Sequence, residues 1–168
     1  CPECGSPLVR YPGEAATYCP NDTACPPQLK GRIEHFISRD AMNIESLGPE
    51  TVDAYFERGL IHDVADLYQL KVQDLWGEDG TKARSANKII EGIEESKKVP
   101  FERVLFAVGI RFVGKVVAKG IARHFKSMEA LFEASIDDLL EFDAVGEVIA
   151  SRVLRFLRDE QNNTKSKR

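Results

Sequence analysis

Val113-Gly114-Lys115-Val116-Val117-Ala118 returns 32 residues later as Val145-Gly146-Glu147-Val148-Ile149-Ala150. A third alanine, Ala86, stands 32 residues before Ala118, with Thr81-Lys82 in the place of Val113-Gly114. A fourth copy begins at Leu47-Gly48, with Val52 in the alanine place and an offset of 34. A methyl-bearing residue, a tight turn and an apolar-periodic stretch, recurring at this spacing, are one supersecondary unit used several times. A helix, a short glycine-containing hairpin and a second helix fit that unit. Such hairpins turn backbone N–H groups and a helix N-terminus outward, which suits a phosphate without a large positive charge. The recurring alanine has a mechanical reason, because a helix packed close behind its own hairpin leaves no room for a larger side chain. A unit this short cannot bury its apolar face alone, so neighbouring units are expected to pack in pairs within a compact helical domain.

Composition bounds the rest. The 168 residues are 43% hydrophobic and 30% charged, ordinary for a globular protein. No apolar run approaches a membrane span, so no membrane partner is expected. The chain begins at Cys1 and its first motif starts at once, which reads as a piece of something longer. A net charge of −4 argues against coating nucleic acid by bulk attraction. Charge is unevenly spread, however. Acids dominate residues 44–80, whereas Arg103, Arg111, Lys115, Lys119, Arg123 and Lys126 face only Glu102 in residues 101–126. An electrostatic docking surface should therefore centre on the third repeat.

All four cysteines lie within the first 25 residues, as Cys1-x2-Cys4-x14-Cys19-x5-Cys25. Two short knuckles separated by a dozen or so residues suit a tetrahedral Cys4 zinc site. Residues 1–30 carry few apolar side chains and several prolines, so they cannot fold on a core of their own. Zinc would supply the crosslink, and four thiolates leave no open position, which makes the metal structural. Two disulfides are the alternative, but nothing indicates secretion. His35, His62 and His124 show no metal spacing and are read as packing, capping or exposed residues. Trp76 is read as packing in the core or on a partner rather than as a stacking platform.

The pattern predicts a mainly α chain, with helices over 31–36, from Pro49, 63–70, 83–96, 101–108, 115–124, 127–134, 137–142 and 147–158, and Ser135 as an N-cap. It predicts a zinc module at 1–30, a tandem-hairpin domain at 31–160 and a frayed polar tail at 161–168. The zinc module alone is expected to contain a hairpin of extended chain.

The cysteine spacing followed by Gly31-Arg32-Ile33-Glu34-His35-Phe36-Ile37-Ser38-Arg39-Asp40-Ala41-Met42-Asn43-Ile44 resembles bacterial NAD-dependent DNA ligases. So does Leu105-Phe106-Ala107-Val108-Gly109-Ile110-Arg111-Phe112-Val113-Gly114. The resemblance covers nearly the whole chain. It implies a small Cys4 zinc finger on Cys1, Cys4, Cys19 and Cys25, followed by a compact domain of four helix-hairpin-helix motifs. It further implies sequence-tolerant binding of double-stranded DNA at nicks, as the clamping portion of a ligase of replication and repair. The nucleotidyltransferase and oligonucleotide-binding domains of that family have no counterpart here. NAD and Mg2+ are thus expected to serve the full-length enzyme only, with no catalytic residue in this chain. A cytoplasmic, nucleoid-associated location is implied likewise.

On that resemblance the DNA contacts are expected at Gly48, Lys82, Arg84, Arg111, Val113, Gly114, Lys115, Lys119 and Gly146. Lys82 replaces the glycine of its siblings, and Gly48 lies in acidic surroundings. A hairpin glycine is also consistent with a left-handed turn that holds no ligand. The competing readings are an accessory DNA-binding module of another repair protein and a protein-interaction module. A large exposed apolar patch would favour the latter.

Overall fold

The first helix starts where the metal-binding segment stops. In the computed structural model, which describes residues 1–76 and 83–166, α1 spans Pro26–Ile37. It begins five residues earlier than the sequence pattern suggests. The Pro26-Pro27 pair, read as irregular chain, instead occupies the first helical positions, where a missing N–H costs nothing. Before it, Val9 and Tyr18 exchange both backbone hydrogen bonds, at 2.8 and 2.7 Å, in a single antiparallel bridge. That bridge is the expected knuckle hairpin in its smallest form. The described residues form no longer strand.

The remaining elements are α2 (Pro49–Glu57), α3 (Val64–Leu67), α4 (Val72–Leu75), α5 (Ala83–Ser96), α6 (Phe101–Ala107), α7 (Lys115–Phe125), α8 (Met128–Phe132), α9 (Ile136–Leu140) and α10 (Glu147–Ser166). Two of these differ from expectation. The sequence reading has no helix at α4, yet Asp74 Oδ2 accepts from the Lys71 N–H at 2.9 Å and starts a single turn that buries Leu75. Helix α10 runs on to Ser166 rather than ending at Arg158. Arg158, Asp159, Glu160 and Gln161 contain neither glycine nor proline to stop it, so the polar tail is helical through Ser166.

The backbone groups into two compact units, Cys1–Ser38 with Asn43–Glu95, and Arg39–Met42 with Ser96–Arg168. In the first, Lys30 of α1 reaches Asp53 and Glu57 of α2 at 2.5 and 2.7 Å. Part of the acidic surface around the first hairpin is thereby engaged within the unit. In the second, Leu105, Ile110, Val113, Ala118, Ile121, Leu131, Leu139, Val145, Ala150, Val153 and Leu157 form one buried cluster. It draws on the third and fourth repeats together, the paired packing that short units require.

Candidate metal centre and nucleic-acid interface

The four thiols converge. The Sγ atoms of Cys1, Cys4, Cys19 and Cys25 all lie within 4.8 Å of one another. Cys4 and Cys19 are 3.5 Å apart and Cys1 and Cys25 are 3.9 Å apart. A disulfide would need about 2.05 Å. Sulfurs about 2.3 Å from one tetrahedral zinc ion stand roughly 3.8 Å apart, which is what these distances approach. The disulfide alternative is thereby removed, and the four cysteines form a zinc-binding site. Ser6 holds the Cys4 thiol down to about 6, through its hydroxyl first and its backbone amide second. Burial pushes the Cys25 thiol up. A bound cation offsets that burial cost by stabilising the thiolate.

The site is tied to the first helix. Cys25 is the N-cap of α1, and its carbonyl accepts from the Gln28 and Leu29 N–H groups, each at 3.0 Å. The Gln28 side chain donates to the carbonyls of Cys19 and Asn21 at 3.1 and 3.3 Å. Arg32 meets Asp22 at 3.2 Å. Metal, knuckles and helix are thus one cross-braced piece, although residues 1–30 carry little apolar surface.

The hairpins repeat in geometry as well as in sequence. The N–H groups of Leu47, Val113 and Val145 donate to the carbonyls three residues earlier, Ile44, Ile110 and Phe142, at 3.2, 2.9 and 2.9 Å. The carbonyls of Gly48, Gly114 and Gly146 then accept from Val52, Ala118 and Ala150, at 2.9, 2.9 and 3.0 Å. Val52, Ala86, Ala118 and Ala150 are all fully buried. The predicted hairpin at Gly80-Thr81-Lys82 falls outside the described residues, so Lys82 has no described place. Arg84, near the start of α5, is exposed.

The hairpin glycines do not serve a left-handed turn. Gly48, Gly114 and Gly146 are absent from the positive-φ positions, and Gly114 has an ordinary φ of −79°. A Cβ at any of the three would meet nothing within 4 Å. Neither backbone strain nor internal packing therefore requires glycine there. Helices α3, α8 and α9 carry side-chain caps from Asp63, Ser127 and Ser135, whereas α2 and α7 start at glycines with none. The first-turn amides of such a helix have no intrahelical partner.

Charges are placed unequally around these ends. Lys115 and Lys119 are exposed, and the Arg111 guanidinium lies 5.0 Å from the Phe112 ring centroid. Lys115 Nζ meets Asp40 Oδ2 at 2.5 Å, and this contact holds the Asp40 carboxyl below the usual carboxylate range. The Val113 side chain is buried and its N–H donates to the Ile110 carbonyl, so it anchors the hairpin. Trp76 is 57% exposed, which excludes a core role. His124 lies edge-on to Phe125 and Phe142, with ring centroids 4.8 and 5.0 Å away, a packing role as expected.

Comparison with known proteins bears on both features. The NAD-dependent DNA ligase C4 zinc finger domain matches residues 1–26, and the helix-hairpin-helix motif matches residues 103–165. These matches are consistent with a fragment of an NAD-dependent DNA ligase. It is 62% identical over 162 residues to a DNA ligase of Phocaeicola vulgatus, covering 96% of the chain and 24% of that relative. A Bacteroides fragilis DNA ligase is 60% identical over 162 residues, with the same coverage. A Parabacteroides distasonis DNA ligase is 56% identical over 164 residues, covering 98% of the chain and 24% of the relative. The chain spans about a quarter of the length of the curated relatives it matches. Among the described residues no helix is long and apolar enough to cross a membrane.

Proposed function

We propose that this chain is the DNA-gripping part of an NAD-dependent DNA ligase, holding duplex DNA at a nick without reading its sequence. The observation that carries the reading is the open space at Gly114 and Gly146, together with the absence of a side-chain cap on the first-turn amides of α7. A phosphate can approach such a backbone closely, and phosphate contacts position a protein without specifying sequence. That suits an enzyme that seals nicks wherever they occur. Arg111, Lys115 and Lys119 would add charge beside the third hairpin, and Arg84 beside the second. Gly48 heads an equivalent hairpin, but Glu45, Glu50 and Asp53 reduce its attraction for phosphate. The zinc module at 1–30 would brace the start of α1 and take no part in chemistry. Adenylation with NAD and Mg2+ would belong to the nucleotidyltransferase domain of the full-length enzyme, in the cytoplasm at the nucleoid.

Competition between nicked and intact duplexes of one sequence for the zinc-loaded chain tests the reading. A lower Kd for the nicked duplex places nick recognition in this chain. Equal affinity restricts the chain to duplex binding and overturns the nick assignment.

A further inference from the structure

Helix α9 turns one leucine inward and leaves an apolar pair outside. Leu139 is fully buried, whereas Ile136 and Leu140 are 40% and 37% exposed. The outward pair is spaced i, i+4, so the two side chains share one strip of the helix. Asp137 and Glu141 are also exposed and also four apart, and they make a second strip beside the first. The exposed Glu133 lies just before the helix. Residues 127–147 hold seven carboxylates and no lysine or arginine, so this rim is acidic throughout. Folding accounts for only part of the pattern. Asp138 closes a capping box with Ser135, and Asp137 in the first turn suits the helix dipole. Glu141 is the C-cap, where the dipole disfavours a negative charge. Among the described residues no Lys, Arg or His pairs with Glu133, Asp137 or Glu141.

The charge decides what can cover the strip. An unpaired acidic rim repels nucleic acid and anionic lipid surfaces. A purely apolar partner would bury the rim carboxylates without compensation. A basic amphipathic helix satisfies both strips at once. Its apolar side chains at i and i+4 would cover Ile136 and Leu140, and its lysines or arginines would meet Asp137 and Glu141. We infer that the α9 face is a docking site for a lysine- or arginine-rich amphipathic helix of a partner protein. The site stands apart from the DNA-binding reading, because the charge that attracts such a helix keeps a duplex off.

The test titrates the zinc-loaded chain with a synthetic amphipathic peptide of leucine and lysine, about 15 residues long so that it can form a helix. Backbone amide NMR shifts locate the binding and give its Kd. Saturable binding with shifts centred on residues 133–141 is expected. A peptide with glutamate in place of lysine is expected to bind at least about tenfold more weakly. Ile136→Ser with Leu140→Ser should weaken the lysine peptide about tenfold and leave affinity for duplex DNA unchanged. Asp137→Lys with Glu141→Lys should reverse the preference, so that the glutamate peptide binds better. If the serine variant melts early, the charge-swapped variant decides, since its two positions lie outside the core. No saturable binding would overturn the inference, as would shifts centred on the acidic helices α2–α4. Equal affinity for the two peptides, or a preference that the charge swap leaves in place, would overturn it too. A folded serine variant that loses DNA affinity would assign the face to nucleic acid instead and overturn the protein partner.

Discussion

Replacing Gly114 by alanine separates a folding role from a binding role. The glycine has φ −79° and ψ −179°, a conformation open to alanine, and the added Cβ meets no atom within 4 Å. Two small effects on stability oppose each other. Alanine restricts the unfolded chain, which stabilises by about 0.4–1 kcal/mol. As an N-cap it is slightly worse than glycine, by roughly a few tenths to 1 kcal/mol. Thermal unfolding should therefore shift by no more than about 1 kcal/mol in either direction. Binding should respond differently, because the methyl group occupies the space through which a phosphate reaches the α7 amides. A hydrogen bond to a charged group contributes about 1.5–3 kcal/mol, so its loss weakens DNA binding by roughly 10- to 150-fold. Calorimetry of the free protein and anisotropy titration with a duplex read the two quantities separately. Unchanged affinity in a stable variant would refute close phosphate approach at this hairpin. A strongly destabilised variant would refute the claim that the space is free.

Chelation should unfold residues 1–30, since the metal supplies about 10–16 kcal/mol of apparent folding free energy in such modules. NMR should show loss of the Val9–Tyr18 pairing while the core around Leu105 and Ile121 stays protected; a native spectrum without zinc would contradict the Cys4 site. Ala150→Leu should destabilise by about 1–3 kcal/mol or more, because α10 lies close behind its hairpin; an unchanged melting temperature would mean that room exists there. Asp40→Asn frees Lys115 and should tighten DNA binding about two- to fourfold at low salt, the gain shrinking as salt rises. Weaker binding in that variant would show that Asp40 positions Lys115 for the contact instead of competing for it.

The repeat carried most of the fold. The alanine spacing located buried positions at Ala86, Ala118 and Ala150, because a steric requirement repeats with the unit and leaves a periodic trace. The cysteine spacing located the metal site for the same kind of reason, as ligand geometry constrains knuckle length. What escaped is shorter or less local. Helix α4 is a single turn, less than one apolar period, and its signal lies only in Asp74 capping Lys71. The start of α1 was hidden because a proline pair reads as readily as a loop as a helix start. At the candidate interface, Gly114 and Gly146 were legible as turn residues. Only geometry distinguishes a glycine needed for φ from one needed for open space. The Asp40–Lys115 contact joins residues far apart in sequence and leaves no local pattern. The exposure of Phe112 was equally hidden, since an aromatic residue beside Val113 reads as core.

The central claim is that the hairpins grip the phosphates of a duplex. Its most direct test is the affinity of the zinc-loaded chain for unrelated duplex sequences across a range of salt. With about four to six phosphates neutralised, log K should fall against log salt with a slope near −4 to −5, nearly alike for every sequence. Binding insensitive to salt, or confined to one sequence, would contradict the account.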